Sequence, residues 1–178
     1  MDVPGWAMVP TFLNPFLLAF FPALMVLSAS LDLLTMTIPN PIPLALAFGY
    51  LLAAAALGLP PQAVLFDLSC GLATLAVTFV MFTFRWIGGG DAKLAAATAL
   101  WMGWSLILGY GAAAAICGGL LAIGLLSARA TALPTVLARS AWIARLHNAS
   151  GGVPYGIALA AAGMIQYSHT QIWAAAVS

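Results

Sequence analysis

Residues 15–34 read PFLLAFFPALMVLSASLDLL, an unbroken apolar run with one charged side chain, Asp32. Roughly 20 such residues in a helix span the hydrocarbon core of a bilayer, so this run reads as a membrane helix. The rest of the chain repeats its composition. Of 178 residues, 64% are hydrophobic and 5% charged, against roughly a quarter charged in soluble domains. The ionic groups are five Lys or Arg and four Asp, with no Glu, too few to cover a water-soluble body of this size. The expected fold is an all-α polytopic membrane protein forming one membrane-embedded domain over 1–178. With a formal net charge of +1, there is no basic field for nucleic acid.

Outward from this run, Pro, Gly and the rare charges punctuate about six spans, at roughly 15–34, 41–57, 64–86, 91–104, 106–126 and 154–176. Asn14-Pro15 and Asn40-Pro41 each offer an N-cap followed by a first-turn proline. Gly58-Leu59-Pro60-Pro61 breaks the second span, and Gly88-Gly89-Gly90 is expected to end the third. The boundary between the fourth and fifth is poorly marked, since Gly109 and Gly111 suit turn or helix. Residues 127–152 form a basic loop whose interleaved Trp142, Arg139 and Arg145 suit an irregular loop or a short interfacial helix. Cys70 and Cys117 stand apart in apolar stretches and read as small core residues. The first span lacks the basic flank of a cleaved signal and is expected to persist.

If the six spans alternate, Arg85, Lys93, Arg129, Arg139 and Arg145 share one face, which the positive-inside rule makes cytoplasmic, with both termini periplasmic. Asp32 and Asp91 fall on that face. Asp2 and Asp67 fall on the other, where Asp67 is expected to be solvated. Carboxylates at the membrane edge suggest function. Two that converge in a partly dry site share a proton and can serve as general acid and general base around one water, the chemistry of an aspartic protease. Taken singly, either residue reads more readily as a helix cap or a solvated interfacial Asp than as a catalytic group. His147 and His169 are isolated, and no metal ligands are grouped.

The local motifs go further. Asp32 lies upstream of Ile38-Pro39-Asn40, and Asp91 closes Gly88-Gly89-Gly90-Asp91. In that order they resemble the type IV prepilin peptidase family, with its Asp before Ile-Pro-Asn and its Gly-x-Gly-Asp motif. Val153-Pro154-Tyr155-Gly156 resembles the segment that opens the last span in the short, Flp-pilus branch. The resemblance implies an enzyme of the bacterial inner membrane that removes short leader peptides from prepilins or pseudopilins at the cytoplasmic face, usually after a Gly. Its catalytic residues would be Asp32 and Asp91, working without metal or cofactor and without a covalent intermediate. Gly88 and Gly90 match the motif glycines. Pro39 and Asn40 belong to the Ile-Pro-Asn element. Implied partners are the prepilin, the bilayer and other pilus assembly components. The chain lacks the extra cytoplasmic domain and paired cysteines of longer members, so N-methyltransferase activity is not expected.

Around these motifs, Lys93 reads as an anchor at the membrane edge or a stabiliser of Asp91, and Asn40 as the cap of the second span. The alternative function is a small proton- or cation-coupled transporter using the intramembrane aspartates; a scaffold subunit whose Ala95, Ala96, Ala97 and Ala99 face only packs helices is a third.

Overall fold

The computed structural model describes residues 14–148 and 151–177, so Asp2 lies outside the described residues. The fold within them is all-helical: α1 Asn14–Thr35, α2 Pro41–Ala56, α3 Pro61–Thr83, α4 Gly89–Arg129, α5 Thr135–Ala138, α6 Ala141–His147, α7 Tyr155–Tyr167 and α8 Gln171–Val177. Three are long and apolar enough to cross a membrane: Pro15–Thr35, Pro61–Thr83 and Gly89–Arg129. Large apolar side chains such as Leu72, Val77, Phe79, Leu108 and Leu120 point outward, as a bilayer-facing surface requires and a water-facing one does not.

Local chemistry stops each helix. At the end of α1, Met36 takes a left-handed φ of 56° and donates its N–H to the Asp32 carbonyl at 2.8 Å, closing the last turn around Asp32. At the end of α2, Gly58 (φ 64°) donates to Ala55 and Leu59 donates to Ala54, a Schellman closure ahead of Pro60 and Pro61. The same closure ends α3 at Arg85 (φ 60°), with Trp86 donating to Met81. The three glycines therefore do not terminate the third helix. Gly88 precedes α4, and Gly89 and Gly90 form its first turn.

The backbone of α4 breaks at Gly103 (φ 59°, ψ −180°), close to the boundary expected between 104 and 106; Gly109 and Gly111 are helical. Its two arms fold back along each other: Asp91 and Ala95 from the first line one cavity with Tyr110 and Ala114 from the second. The first arm buries Ala92, Ala95, Ala96, Ala97 and Ala99. Small residues let it pack closely against α3 and α7, its principal neighbours. The stretch expected as one last span is two helices. Thr170, whose Oγ1 accepts from the Trp173 N–H at 3.2 Å, caps α8 and ends the continuity with α7. Of the expected basic loop, 127–129 belong to α4, and the described residues 130–148 hold two short helices, α5 and α6.

The core runs from Ile38, beside the aspartate pair, to an aromatic cluster. Phe21 stacks on Tyr167 at 4.6 Å and tilts against Trp101 at 5.1 Å, and Trp101 Nε1–H donates to the Leu46 carbonyl at 3.0 Å. Cys70 is buried and Cys117 half-buried, both as free thiols.

Candidate active site

Three segments distant in sequence meet at one end of the bundle. Asp32, in the last turn of α1, is 5% exposed. Its Oδ2 accepts the Gly156 N–H at 2.7 Å, at the first turn of α7. Asp91 lies in the first turn of α4, half-buried and within electrostatic reach of Asp32. Its carboxylate turns back over the helix start toward the Gly88 backbone, as a third-position acid does at a helix N-terminus. A Cβ on Gly88 would stand 3.0 Å from Asp91 Oδ2.

Ile38 ties the segments together. A Cβ on Gly90 would meet Ile38 Cβ at 3.1 Å, and one on Gly156 would meet Ile38 Cδ1 at 2.7 Å and Asp32 Oδ2 at 2.8 Å. Both glycines thus sit in close approach, and a Cβ at either would push these side chains aside. Pro39 and Pro41 flank Asn40 in the connection from α1 to α2 and hold Ile38 at this junction. Asn40 does not cap α2 with its side chain. Its Oδ1 instead accepts from Lys93 Nζ at 2.9 Å, so the two residues read separately in the sequence join the first motif to the second.

Two arginines bond the backbone around the site, one ahead of α7 and one at the end of α1. Arg129 Nε donates to the Leu146 carbonyl at 2.8 Å, and its two terminal nitrogens donate to the Gly151 and Gly152 carbonyls at 3.0 and 2.8 Å. Arg145 donates to the Leu34 carbonyl at 2.7 Å, one of the open carbonyls ending α1. These arginines count in the sequence only as topology markers. Their backbone acceptors lie 17 to 111 residues away and leave no local signal.

An apolar cavity of about 560 Å³ extends from Asp91 between α3, the second arm of α4 and α7, past Thr78, Ala95 and Tyr110. Asp91 also borders a second cleft of about 330 Å³, lined by Phe82, Arg85, Trp86, Gly88, Gly152 and Val153. No group of three His, Cys, Asp or Glu gathers among the described residues.

Asp67 departs from expectation. It is 4% exposed, not solvated; Tyr50 donates its O–H to Asp67 Oδ2 at 2.6 Å. Its Oδ1 fills the space that a Cβ on Gly103 would occupy. The sequence places a carboxylate in an apolar run without showing the tyrosine that satisfies it from 17 residues away.

The family model of the type IV leader peptidase family matches residues 19–123, a stretch that includes Asp32, Ile38-Pro39-Asn40, Gly88-Gly89-Gly90-Asp91 and Lys93. Comparisons with curated proteins and with solved structures returned no significant match. With more than half of its length matched, and with both motif aspartates inside the match, this membrane-type helical chain belongs to the type IV leader peptidase family.

Proposed function

We propose that the protein is a membrane aspartic endopeptidase that removes short leaders from prepilins or pseudopilins, of the kind served by the Flp-pilus branch, with Asp32 and Asp91 activating a water. The observation that carries this reading is the convergence of Asp32, Asp91 and the Gly156 N–H at one end of the helices. In the proposed reaction one carboxylate takes a proton from the water as it attacks the scissile carbonyl. The other, protonated, donates to that carbonyl oxygen; as the resulting gem-diol collapses it takes this proton back, and the first carboxyl passes the water's proton to the leaving amine. No bond forms to the enzyme. The Gly156 N–H holds Asp32 Oδ2 and leaves Oδ1 as its reactive oxygen.

The proposed topology has six spans in a bacterial inner membrane, with the Gly103 break separating the fourth from the fifth and α7 with α8 forming the last. The pair then lies at the cytoplasmic face, where Arg129, Arg139, Arg145, Lys93 and Arg85 obey the positive-inside rule, and both termini are periplasmic. Gly88, Gly90, Pro39, Asn40 and Lys93 support the pair by packing and by the Lys93–Asn40 bond. No observation favours the transporter alternative.

Co-expression with a Flp-type prepilin tests the reading. The expected result is a faster-migrating pilin whose new N-terminus follows the leader. Persistence of full-length prepilin beside well-folded protein contradicts it. A reporter fused after Ser178 should behave as periplasmic.

A further inference from the structure

Two side-chain oxygens are buried without a hydrogen-bond partner among the described residues: Thr98 Oγ1 and the Tyr110 hydroxyl. Thr98 is 0% exposed and Tyr110 3%. Both belong to α4, Thr98 on the arm before Gly103 and Tyr110 on the arm after it. The fold brings their hydroxyls near each other without completing a hydrogen bond between them. Thr98 turns its methyl toward α7, where a Cβ on Gly163 would stand 3.3 Å from Cγ2, so its hydroxyl branch is not spent on that helix. A buried hydroxyl left unpaired costs free energy, and in a native fold it calls for a partner.

Tyr110 lines the same apolar cavity as Asp91, and Ala95, one turn before Thr98 on the first arm, lines it between them. Of the other hydroxyls along that cavity, the one on Thr78 is already donated to the Thr74 carbonyl at 2.8 Å. Thr98 follows Asp91 by seven residues on an unbroken helical arm, two turns or about 10 Å. A peptide bond open to attack at Asp91 is not inside a helix, so the chain beside it is extended. Each extended residue then brings one N–H and one C=O that its own helix no longer satisfies. At about 3.3 Å per residue, such a chain covers that distance in about three residues. An amide offers one donor and one acceptor, and two hydroxyls that can each donate and accept match it.

We propose that Tyr110 and Thr98 form a backbone-binding subsite, which takes an amide of the substrate's apolar stretch about three residues from the scissile bond and holds that stretch extended in the cavity. This inference rests on the peptidase reading. The hydroxyls bind the chain and take no part in the proton transfers at Asp32 and Asp91.

The experiment measures kcat and KM for synthetic prepilin peptides in detergent with wild type, Tyr110→Phe and Thr98→Val, two substitutions that keep shape and remove a hydroxyl. Tyr110→Phe is expected to raise KM about tenfold with kcat nearly unchanged, because the bond is made in the ground and transition states alike. Its melting temperature without substrate should be unchanged or higher, since the hydroxyl it lacks has no partner in the fold. Peptides carrying an ester in place of the amide at the second, third or fourth residue on the apolar side of the scissile bond locate the contact. One of them should raise KM about tenfold for wild type and have no further effect on Tyr110→Phe. An unchanged KM in Tyr110→Phe, a loss confined to kcat, or no ester whose effect depends on Tyr110 overturns the proposal. A lowered melting temperature also overturns it, by assigning the hydroxyl to the resting fold or to a water held there. Should Tyr110→Phe fail to fold, Thr98→Val decides by the same criteria. Wild-type protein that cuts none of the peptides overturns the peptidase reading itself, whereas cleavage with an unchanged KM in the variants removes only the subsite.

Discussion

The Gly156 N–H donates a 2.7 Å hydrogen bond to Asp32 Oδ2 across 124 residues of sequence. The bond fixes the carboxylate at the end of α1 against the first turn of α7, and Gly156 admits it because it has no Cβ. Gly156→Ala puts a methyl group at 2.8 Å from Asp32 Oδ2 and 2.7 Å from Ile38 Cδ1. Prepilin cleavage should fall at least about tenfold, the effect of roughly 1.4 kcal/mol in the barrier. Gly152→Ala, where a Cβ meets nothing, is the control and should cleave normally; equal rates in the two variants would contradict this role.

Arg129 orders the approach to that bond through three backbone carbonyls. Arg129→Gln should lower cleavage about tenfold and the melting temperature by a few degrees, since charge-assisted hydrogen bonds contribute about 1.5–3 kcal/mol each. Arg129→Lys should recover little, because an ammonium lacks the planar fork that reaches three acceptors. Full rescue by Lys would show that charge alone suffices. Cleavage and thermal unfolding in detergent, measured on the same preparations, check both.

At the opposite end, Gly103→Ala should destabilise the fold. A non-glycine residue at φ 59° and ψ −180°, a region essentially confined to glycine, costs on the order of 1–3 kcal/mol, and the new methyl also collides with Asp67. Gly124→Ala, inside the same helix and in open space, should be neutral or slightly stabilising. Thermal melts distinguish them. Tyr50→Phe should likewise lower stability by about 1–3 kcal/mol, since it leaves the buried Asp67 without its donor.

The Lys93–Asn40 bond is exposed, and an exposed pair contributes little. Lys93→Met and Asn40→Ala should each reduce cleavage by about threefold or less. The double substitution should be no worse than the poorer single, because both remove the same contact. Additive losses in a double-mutant cycle would mean that the two act independently.

Much of the site was legible because its chemistry is concentrated in rare residues. In a chain with four carboxylates, Asp32 and Asp91 stand out, and their Ile-Pro-Asn and Gly-Gly-Gly-Asp neighbours meet through Ile38 and Gly90. What the local pattern missed is what depends on distant pairing. Asp67 looked solvated because Tyr50 is not its sequence neighbour. Asn40 looked like a cap because the Lys93 that engages it lies 53 residues on. The reversal within α4 needs one residue, Gly103, whose signal in Trp101-Met102-Gly103-Trp104 is no stronger than that of Gly109 or Gly111. The break between α7 and α8 rests on a single threonine cap, which a run of apolar residues conceals.

The central claim is that Asp32 and Asp91 act as a pair on one peptide bond. Its most direct test is cleavage of a Flp-type prepilin by purified wild-type, Asp32→Asn, Asp91→Asn and Asp67→Asn proteins. Each asparagine keeps the size of the carboxylate, and Asp67→Asn keeps an acceptor for Tyr50. Both motif variants should lose cleavage by at least about a thousandfold, roughly 4 kcal/mol in the barrier, while Asp67→Asn still cleaves. Cleavage near the wild-type rate by a folded Asp32→Asn or Asp91→Asn protein would contradict the account.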